Sequence, residues 1–412
     1  MEEQKIYTPS EKKKWTLLLS VLESVFWFSN AALNFGTIFL EHLGFTVSQV
    51  SMISSIGSGI SIVASPLGGT ISDKLRSSRR ALNIFLILSI ITTALVAVTQ
   101  NMVILGISMC ILFMEISTFF RAPTGTLMET TVINGCNNAG LSYGFVRLWG
   151  SLFFVVMNLI LGAIIVEENA YTTYFIYSAT IIPVIFLANS CKEITDVGSA
   201  NKKPMKFREM PFGKLFSNPY FIAYLLFCVL NYIPQNTIGA FLPYLLKEIN
   251  VNMGYIGYLQ AYRAMFEIPF LLLSGWLVTK MSYRTMVILS SLFWGLQAMF
   301  SFTVNSLGAL ILLTTLSGIA SGFTQAGSIR FILSLAPPEL QATAQTLVSS
   351  TMAVAGIFGH LVGGFMLESM SIKKYYFICG SVMVVIIGLY TLSFPFIKHV
   401  LKKDFVDMSK RY

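Results

Sequence analysis

"CKEITDVGSANKKPMKFREMPFGKLFSN", residues 191–218, is a long polar stretch in an otherwise apolar chain and holds six of its 28 Lys and Arg residues. Six apolar runs precede it, at 16–40, 47–72, 81–100, 102–131, 142–166 and 170–190. Six follow, at 219–246, 252–280, 284–303, 308–334, 342–367 and 373–397. Each run is about the twenty residues a helix needs to cross a bilayer core. The polar stretch therefore reads as a linker between two six-helix halves. The predicted fold class is an all-α integral membrane protein, with twelve transmembrane helices in two pseudo-symmetric six-helix bundles. The predicted domains are 1–190, the linker 191–218, and 219–412 with a short tail.

Composition agrees with this division. Of 412 residues 55% are hydrophobic and 11% charged, and the mean hydropathy is +0.70. A soluble fold, which carries roughly 25% charged residues, is excluded. The formal charge of +9 follows from topology, because 21 of the 28 basic residues fall in the N-terminus, 73–80, 191–218, 280–284 and the C-terminal tail. The connections on the opposite side hold Lys247, Lys373 and Lys374. Both termini are thus expected on the cytoplasmic side of the cell membrane, and no nucleic-acid partner is needed. Lys12, Lys13 and Lys14 precede an apolar run to about Leu40, too long for a signal-peptide core, so this run is expected to stay as the first span. Five cysteines lack a metal-ligand spacing. The chain also lacks the motifs of a P-loop, a zinc protease and a serine hydrolase, so no cofactor, metal or enzymatic activity is expected.

The halves resemble one another. A shift of 206 places "FLEHLGFTVSQVSMI" (39–53) on "LLKEINVNMGYIGYL" (245–259), and a shift of 202 places 174–176 on 376–378. Weak internal symmetry of this kind marks transporters whose two bundles rock around a midplane site.

The connection "GGTISDKLRSSRR" (68–80) resembles the loop signature of the major facilitator superfamily, carried by Gly69, Asp73, Arg79 and Arg80. The resemblance implies the major facilitator fold, with these four residues as a gating loop; Arg76 stands where that family has a second Gly. The second-half counterpart "SGWLVTKMSYR" (274–284) has Thr279 in place of the acid. "YGFVRLWGS" (143–151) and "APPELQATAQTL" (336–347) are similar to the branch holding lactose permease-type and nucleoside/proton symporters. That resemblance implies substrate or proton roles for Glu129, Arg147 and Glu267, and an aromatic that stacks on sugar at Phe154.

Charged side chains inside spans supply the candidate site. The acids are Glu23, Glu115, Glu129 and Glu267, and the bases are Arg121, Arg147 and Arg263. Each costs at least about 2.5 kcal/mol near the bilayer centre and so needs a partner or a task. Four acids against three bases leave one carboxyl unmatched, and a carboxyl that is neutral when buried and ionised when wetted carries a proton. These four acids are the proton-coupling candidates, with Glu23 and Glu115 favoured. Helical spacing adds the substrate-binding candidates Trp27, Asn30 and Asn34 on the first span, Arg147, Phe154 and Asn158 on the fifth, Asn231 and Gln235 on the seventh, and Gln260 and Arg263 on the eighth. Each also admits a structural reading: Glu129 with Arg147 as a bridge near the membrane surface, Arg263 with Glu267 as a packing pair, Glu115 as a hydrogen-bonded core group.

Taken together these features predict a secondary transporter, a proton-coupled symporter of a small polar solute such as a sugar or nucleoside, working by alternating access as a monomer in the lipid bilayer. A proton-driven exporter of amphipathic compounds or drugs is the alternative.

Overall fold

The computed structural model describes residues 7–104, 106–195, 215–337, 340–402 and 404–405. Most of the linker predicted at 191–218 lies outside them. In the first half α1 (Pro9–Ala31) passes through a 3-10 turn into α2 (Gly36–His42), followed by α3 (Val47–Leu75) and α4 (Ser78–Val98). Then come α5 (Met109–Arg121), α6 (Thr124–Ala139), α7 (Tyr143–Ile164), α8 (Thr172–Ser190) and the short α9 (Lys192–Thr195). The second half holds α10 (Pro219–Ala240), α11 (Leu242–Glu248), α12 (Ile256–Lys280), α13 (Tyr283–Phe300), α14 (Leu307–Leu335), α15 (Gln341–Ser369) and α16 (Ile372–His399). Local chemistry sets several helix starts. Thr8 and Glu11 form a capping box ahead of Pro9, and Ser77 accepts from the Arg80 amide at 3.1 Å to open α4.

Among the described residues ten helices are long and apolar enough to span a membrane, the first being α1 and α2 together. Two further spans are expected from the sequence. One is α12, with Arg263 and Glu267. The other differs from expectation. Instead of a helix over 102–131, strands Val103–Ile104 and Ile107–Ser108 form a hairpin about Gly106 (φ +78°), and the helix starts at Met109. It breaks at Pro123, which has no N–H to continue the ladder, and resumes as α6 to Ala139. Gly68 lets this corner sit against α3: a Cβ there would lie 2.2 Å from the Pro123 Cβ.

Helix packing repeats between the halves. In the first, α1 packs on α7 and α8, and α4 on α5 and α8; in the second, α10 packs on α15 and α16, and α13 on α14 and α16. The same shift of 206 that aligns the sequences carries α2 (Gly36–His42) onto α11 (Leu242–Glu248) residue for residue. Both helices end in one turn. The Gly44 amide donates to the Glu41 carbonyl at 2.9 Å and the Phe45 amide to Leu40 at 3.2 Å; Asn250 donates to Lys247 at 3.0 Å and Val251 to Leu246 at 2.9 Å. Gly44 (φ +83°) and Asn250 (φ +57°) each take the left-handed conformation that glycine adopts freely and asparagine tolerates.

Contacts divide the chain into two compact units. One comprises Met1–Phe45, Gly59–Pro204 and Gly254–Ala264; the other comprises Thr46–Ser58, Met205–Met253 and Met265–Tyr412. The opening turns of α3 therefore join the second unit and those of α12 the first. Glycines explain the attachments. A Cβ on Gly257 would lie 2.4 Å from the Asn158 carbonyl oxygen and 2.8 Å from the Gly162 backbone; one on Gly364 would lie 2.6 Å from the Ser51 Cβ. The two crossings correspond under the repeat, Ser51 to Gly257 and Gly162 to Gly364. Without a hydrophobic drive between helices in lipid, such close approach supplies the packing.

Aromatic packing completes the second unit, where Phe227 stacks on Tyr390 at 4.3 Å and Tyr224 meets Phe331 edge-on at 4.9 Å. At the crossing of α13 and α16 a Cβ on Gly380 would fall 2.5 Å from both the Gly295 oxygen and the Met299 nitrogen. Gly388, two turns on, has nothing within 4 Å. Gly380→Val is expected to cost about 1–3 kcal/mol by overpacking and lower the unfolding temperature in detergent, while Gly388→Ala holds or raises it. Equal melting of both variants with the parent would contradict the close crossing.

Candidate functional site

The first unit gathers the charges of α1, α6 and α7. Glu23 is fully buried on α1, and among the described residues neither carboxylate oxygen receives a hydrogen bond. One turn on, Trp27 presents its ring face to Arg147 of α7, with the guanidinium carbon 4.5 Å from the ring centroid. This cation–π contact is worth up to about 2 kcal/mol when desolvated. Gly150 makes the convergence possible. A Cβ there would lie 2.5 Å from Trp27 Cδ1, 3.0 Å from Glu23 Oε2 and 3.1 Å from Arg147 Nη1. The carboxylate and guanidinium atoms are thus within about 6 Å of each other, an attraction of about 3 kcal/mol at an effective dielectric near 20. Arg147 also acts on Glu129 of α6, so a single guanidinium serves two carboxylates. Its Nη1 donates to Ser151 at 3.4 Å. Tyr143, one turn before Arg147, shares the field of Glu23, Glu129 and Arg147 and was not singled out from the sequence.

The amides expected beside this cluster are largely spent on one another. Asn34 Nδ2 donates to Asn158 Oδ1 at 2.9 Å, Asn158 Nδ2 to the Phe154 carbonyl at 2.9 Å, and Asn30 Nδ2 to the Phe26 carbonyl at 2.8 Å. Phe154 packs on Val155, Ala261 and Ala264, so the aromatic placed at the guanidinium is Trp27. Gln260 and Arg263 are half-buried in the part of α12 that belongs to this unit. Glu115 lies apart from the cluster. Its Oε2 is buried without a hydrogen bond, and the charge acting on it is Arg121, which donates to Ser117 at 3.3 Å and to Thr118 at 3.4 Å.

The second unit holds Asn231, Gln235 and Glu267. Asn231 Nδ2 donates to Gln235 Oε1 at 3.3 Å, and the Asn231 Oδ1 is buried without a partner. Both residues line a cavity of about 20 Å³, room for roughly one water, together with Tyr232, Ser290, Ser291 and Thr324. These small hydroxyls on α13 and α14 escaped sequence reading because Ser and Thr are common in spans, where they bond their own helix. Glu267 Oε1 accepts from Gln325 Nε2 of α14 at 3.3 Å.

The loop after α3 is organised differently from a free set of charges. Asp73 is exposed, whereas Arg79 is buried and hydrogen-bonds the Asn189 side chain of α8, which also accepts from Asn83 at 2.9 Å. Arg80 is exposed, and a Cβ on Gly69 would meet nothing within 4 Å. Arg76, where the resembling family has glycine, adopts φ +50°. The turn that glycine would take freely is therefore present, at a cost of about 1–2 kcal/mol for a residue with a Cβ.

A family model described as the MFS_1 like family matches residues 22–378. The chain belongs to that family, within the major facilitator superfamily. It is 25% identical over 370 residues to the uncharacterized transporter YwbF of Bacillus subtilis (strain 168), covering 87% of this chain and 88% of that one. It is 21% identical over 346 residues to the maltose permease of Geobacillus stearothermophilus, covering 82% and 85%. Crystal structures of the nucleoside transporter NupG (TM-score 0.76, 16% identity, 92% of this chain and 99% of that one) and of a POT family transporter in complex with a thioalcohol-conjugated peptide (TM-score 0.74, 13%, 92% and 96%) share the fold. The protein is a multi-pass membrane transporter.

Gly150→Ala in this transporter inserts a methyl group among Trp27, Glu23 and Arg147. It is expected to reduce solute transport about tenfold or more while the unfolding temperature stays within a few degrees of the parent. Transport at the parental rate would mean that the convergence has no functional weight.

Proposed function

We propose that the transporter is a proton-coupled symporter of a small polar solute, a sugar or a nucleoside, acting by alternating access as a monomer. The supporting observation is the Glu23 carboxyl, buried without a hydrogen-bond donor beside Arg147 and Trp27. An ionised carboxylate in that position depends chiefly on the arginine for compensation, and a solute that engages the guanidinium weakens that compensation. Uptake of a proton by Glu23 then removes the uncompensated charge, so solute and proton are favoured together. Arg147 offers bidentate donors and Trp27 a flat face with an indole N–H, a combination suited to a ring bearing hydroxyl or carbonyl groups. Glu129 holds Arg147 in place, while Glu115 and Glu267 serve as further proton-coupling groups. Asn231 and Gln235 bind solute through their amides, and Asp73 with Arg79 and Arg80 forms the gating loop.

NupG is described as a nucleoside transporter and the Geobacillus relative as a maltose permease, which favours these two solute classes. The basic-residue distribution supports a cytoplasmic position for both termini.

In proteoliposomes loaded with a pH-sensitive dye, adding nucleosides and sugars in turn is expected to acidify the interior with at least one solute. Glu23→Gln, fixed in the neutral form, is expected to abolish that acidification and concentrative uptake while retaining solute counterflow. Transport without acidification, or acidification by the glutamine variant equal to the parent, would remove proton coupling through Glu23.

A further inference from the structure

A second polar feature lies at the start of α13, apart from the Arg147 cluster. A cavity of about 390 Å³ opens where α12 ends and α13 begins, within the roughly 300–1,000 Å³ typical of small-ligand sites. Phe331, Phe394 and Phe405 form apolar walls, and Ser282, Ser334 and Arg284 supply its polar groups. Arg284 is fixed from two sides. Its guanidinium carbon stands 3.6 Å from the Phe394 ring centroid, and Nη2 donates to the Thr391 carbonyl at 2.8 Å. Its Nε is buried and has no hydrogen-bond partner, and no carboxylate of the described residues lies within ion-pair distance of it. The nearby acid of the tail, Asp404, pairs with Lys398 at 3.4 Å. The site is also the start of an 18-residue helix, capped by Ser282 accepting from the Thr285 amide, and its dipole adds positive potential.

A held guanidinium with an unused donor, no carboxylate partner among the described residues and an aromatic wall calls for an amphipathic anion. We propose that this cavity binds the phosphate of an acidic phospholipid headgroup, with Arg284 as the cationic contact and the phenylalanines facing the glycerol and upper acyl region. A lipid is the occupant because the cavity lies at the end of membrane-spanning helices. On the charge distribution that end faces the cytoplasm, the leaflet richest in anionic lipid. Neighbouring Lys280 and Lys398 raise the local anion concentration without filling the cavity.

The test uses the full-length protein, delipidated in neutral detergent, with bound lipid read by native mass spectrometry and stability by thermal unfolding. Added phosphatidylglycerol is expected to bind and raise the unfolding temperature, phosphatidylcholine to do neither. Arg284→Gln is expected to weaken phosphatidylglycerol about tenfold or more, and Arg284→Lys, which keeps charge without the fork, to fall between. Equal binding of the two lipids by the parent protein overturns the proposal even if the variants fold poorly. Undiminished phosphatidylglycerol binding by Arg284→Gln overturns it as well. Stabilisation by inorganic phosphate that depends on Arg284, without phosphatidylglycerol binding, overturns the lipid in favour of a soluble phosphate.

Discussion

An ionised group in the interior of a lipid-embedded bundle is tolerable only where another group compensates it, and the arrangement around Arg147 is organised by that constraint. One guanidinium faces the carboxylates of Glu23 and Glu129 and the ring of Trp27. The ring adds attraction without adding a second full negative charge. Two acids sharing one base make the local charge sensitive to anything that engages the base, which is the property a coupled carrier needs. The glycine at 150 belongs to the same device, since any side chain there would occupy the volume in which the three groups meet.

Backbone proximity is the second organising feature. The opening turns of α3 and α12 each leave the half of the chain in which they lie and pack with the other unit, with limits at Ser58 and Ala264 that coincide under the 206-residue shift. The repeat is thus structural as well as a faint echo in the sequence, reproduced in helix partners, in the α2 and α11 turns and in the glycine crossings. It is broken at the chemistry. Under the 202 shift Arg147 corresponds to Ser349 and Asn158 to His360. The first unit therefore holds the Arg147 cluster, while the positions of the second that correspond to Arg147 and Asn158 carry a hydroxyl and an imidazole. Arg284 shows a different use of an arginine, held against an aromatic ring at the end of a helix instead of between acids.

Much of this was legible in the sequence, because bilayer crossing imposes length and apolarity on every span and the basic residues sort themselves into one set of connections. The ionisable residues of the spans were legible for the same reason, since charge against an apolar background stands out without any knowledge of contacts. Hydroxyls such as Ser290 and Thr324 did not stand out. The break at Pro123 and the hairpin at 103–108 were missed because apolar content continues through them, while the proline and Gly106 act on backbone geometry alone.

Beyond the Glu129 and Arg147 pair, which groups meet was out of reach of one-dimensional reading. Helical spacing put Trp27 on the same face as Glu23, yet the ring that stacks on Arg147 is chosen by how α1 crosses α7, and Phe154 on α7 itself turns to the apolar contact with α12. Sequence alone determined the class of molecule, its spans, its internal repeat and the short roster of charges that require explanation, since each depends on local composition and period. Tertiary structure alone decided that Glu23 and Trp27 join Arg147 beside Glu129, the spending of Asn34 on Asn158, and the isolation of Arg284 from the carboxylates of the described residues. Those depend on distances between helices far apart in the chain, which are set by the size of the side chains at each crossing.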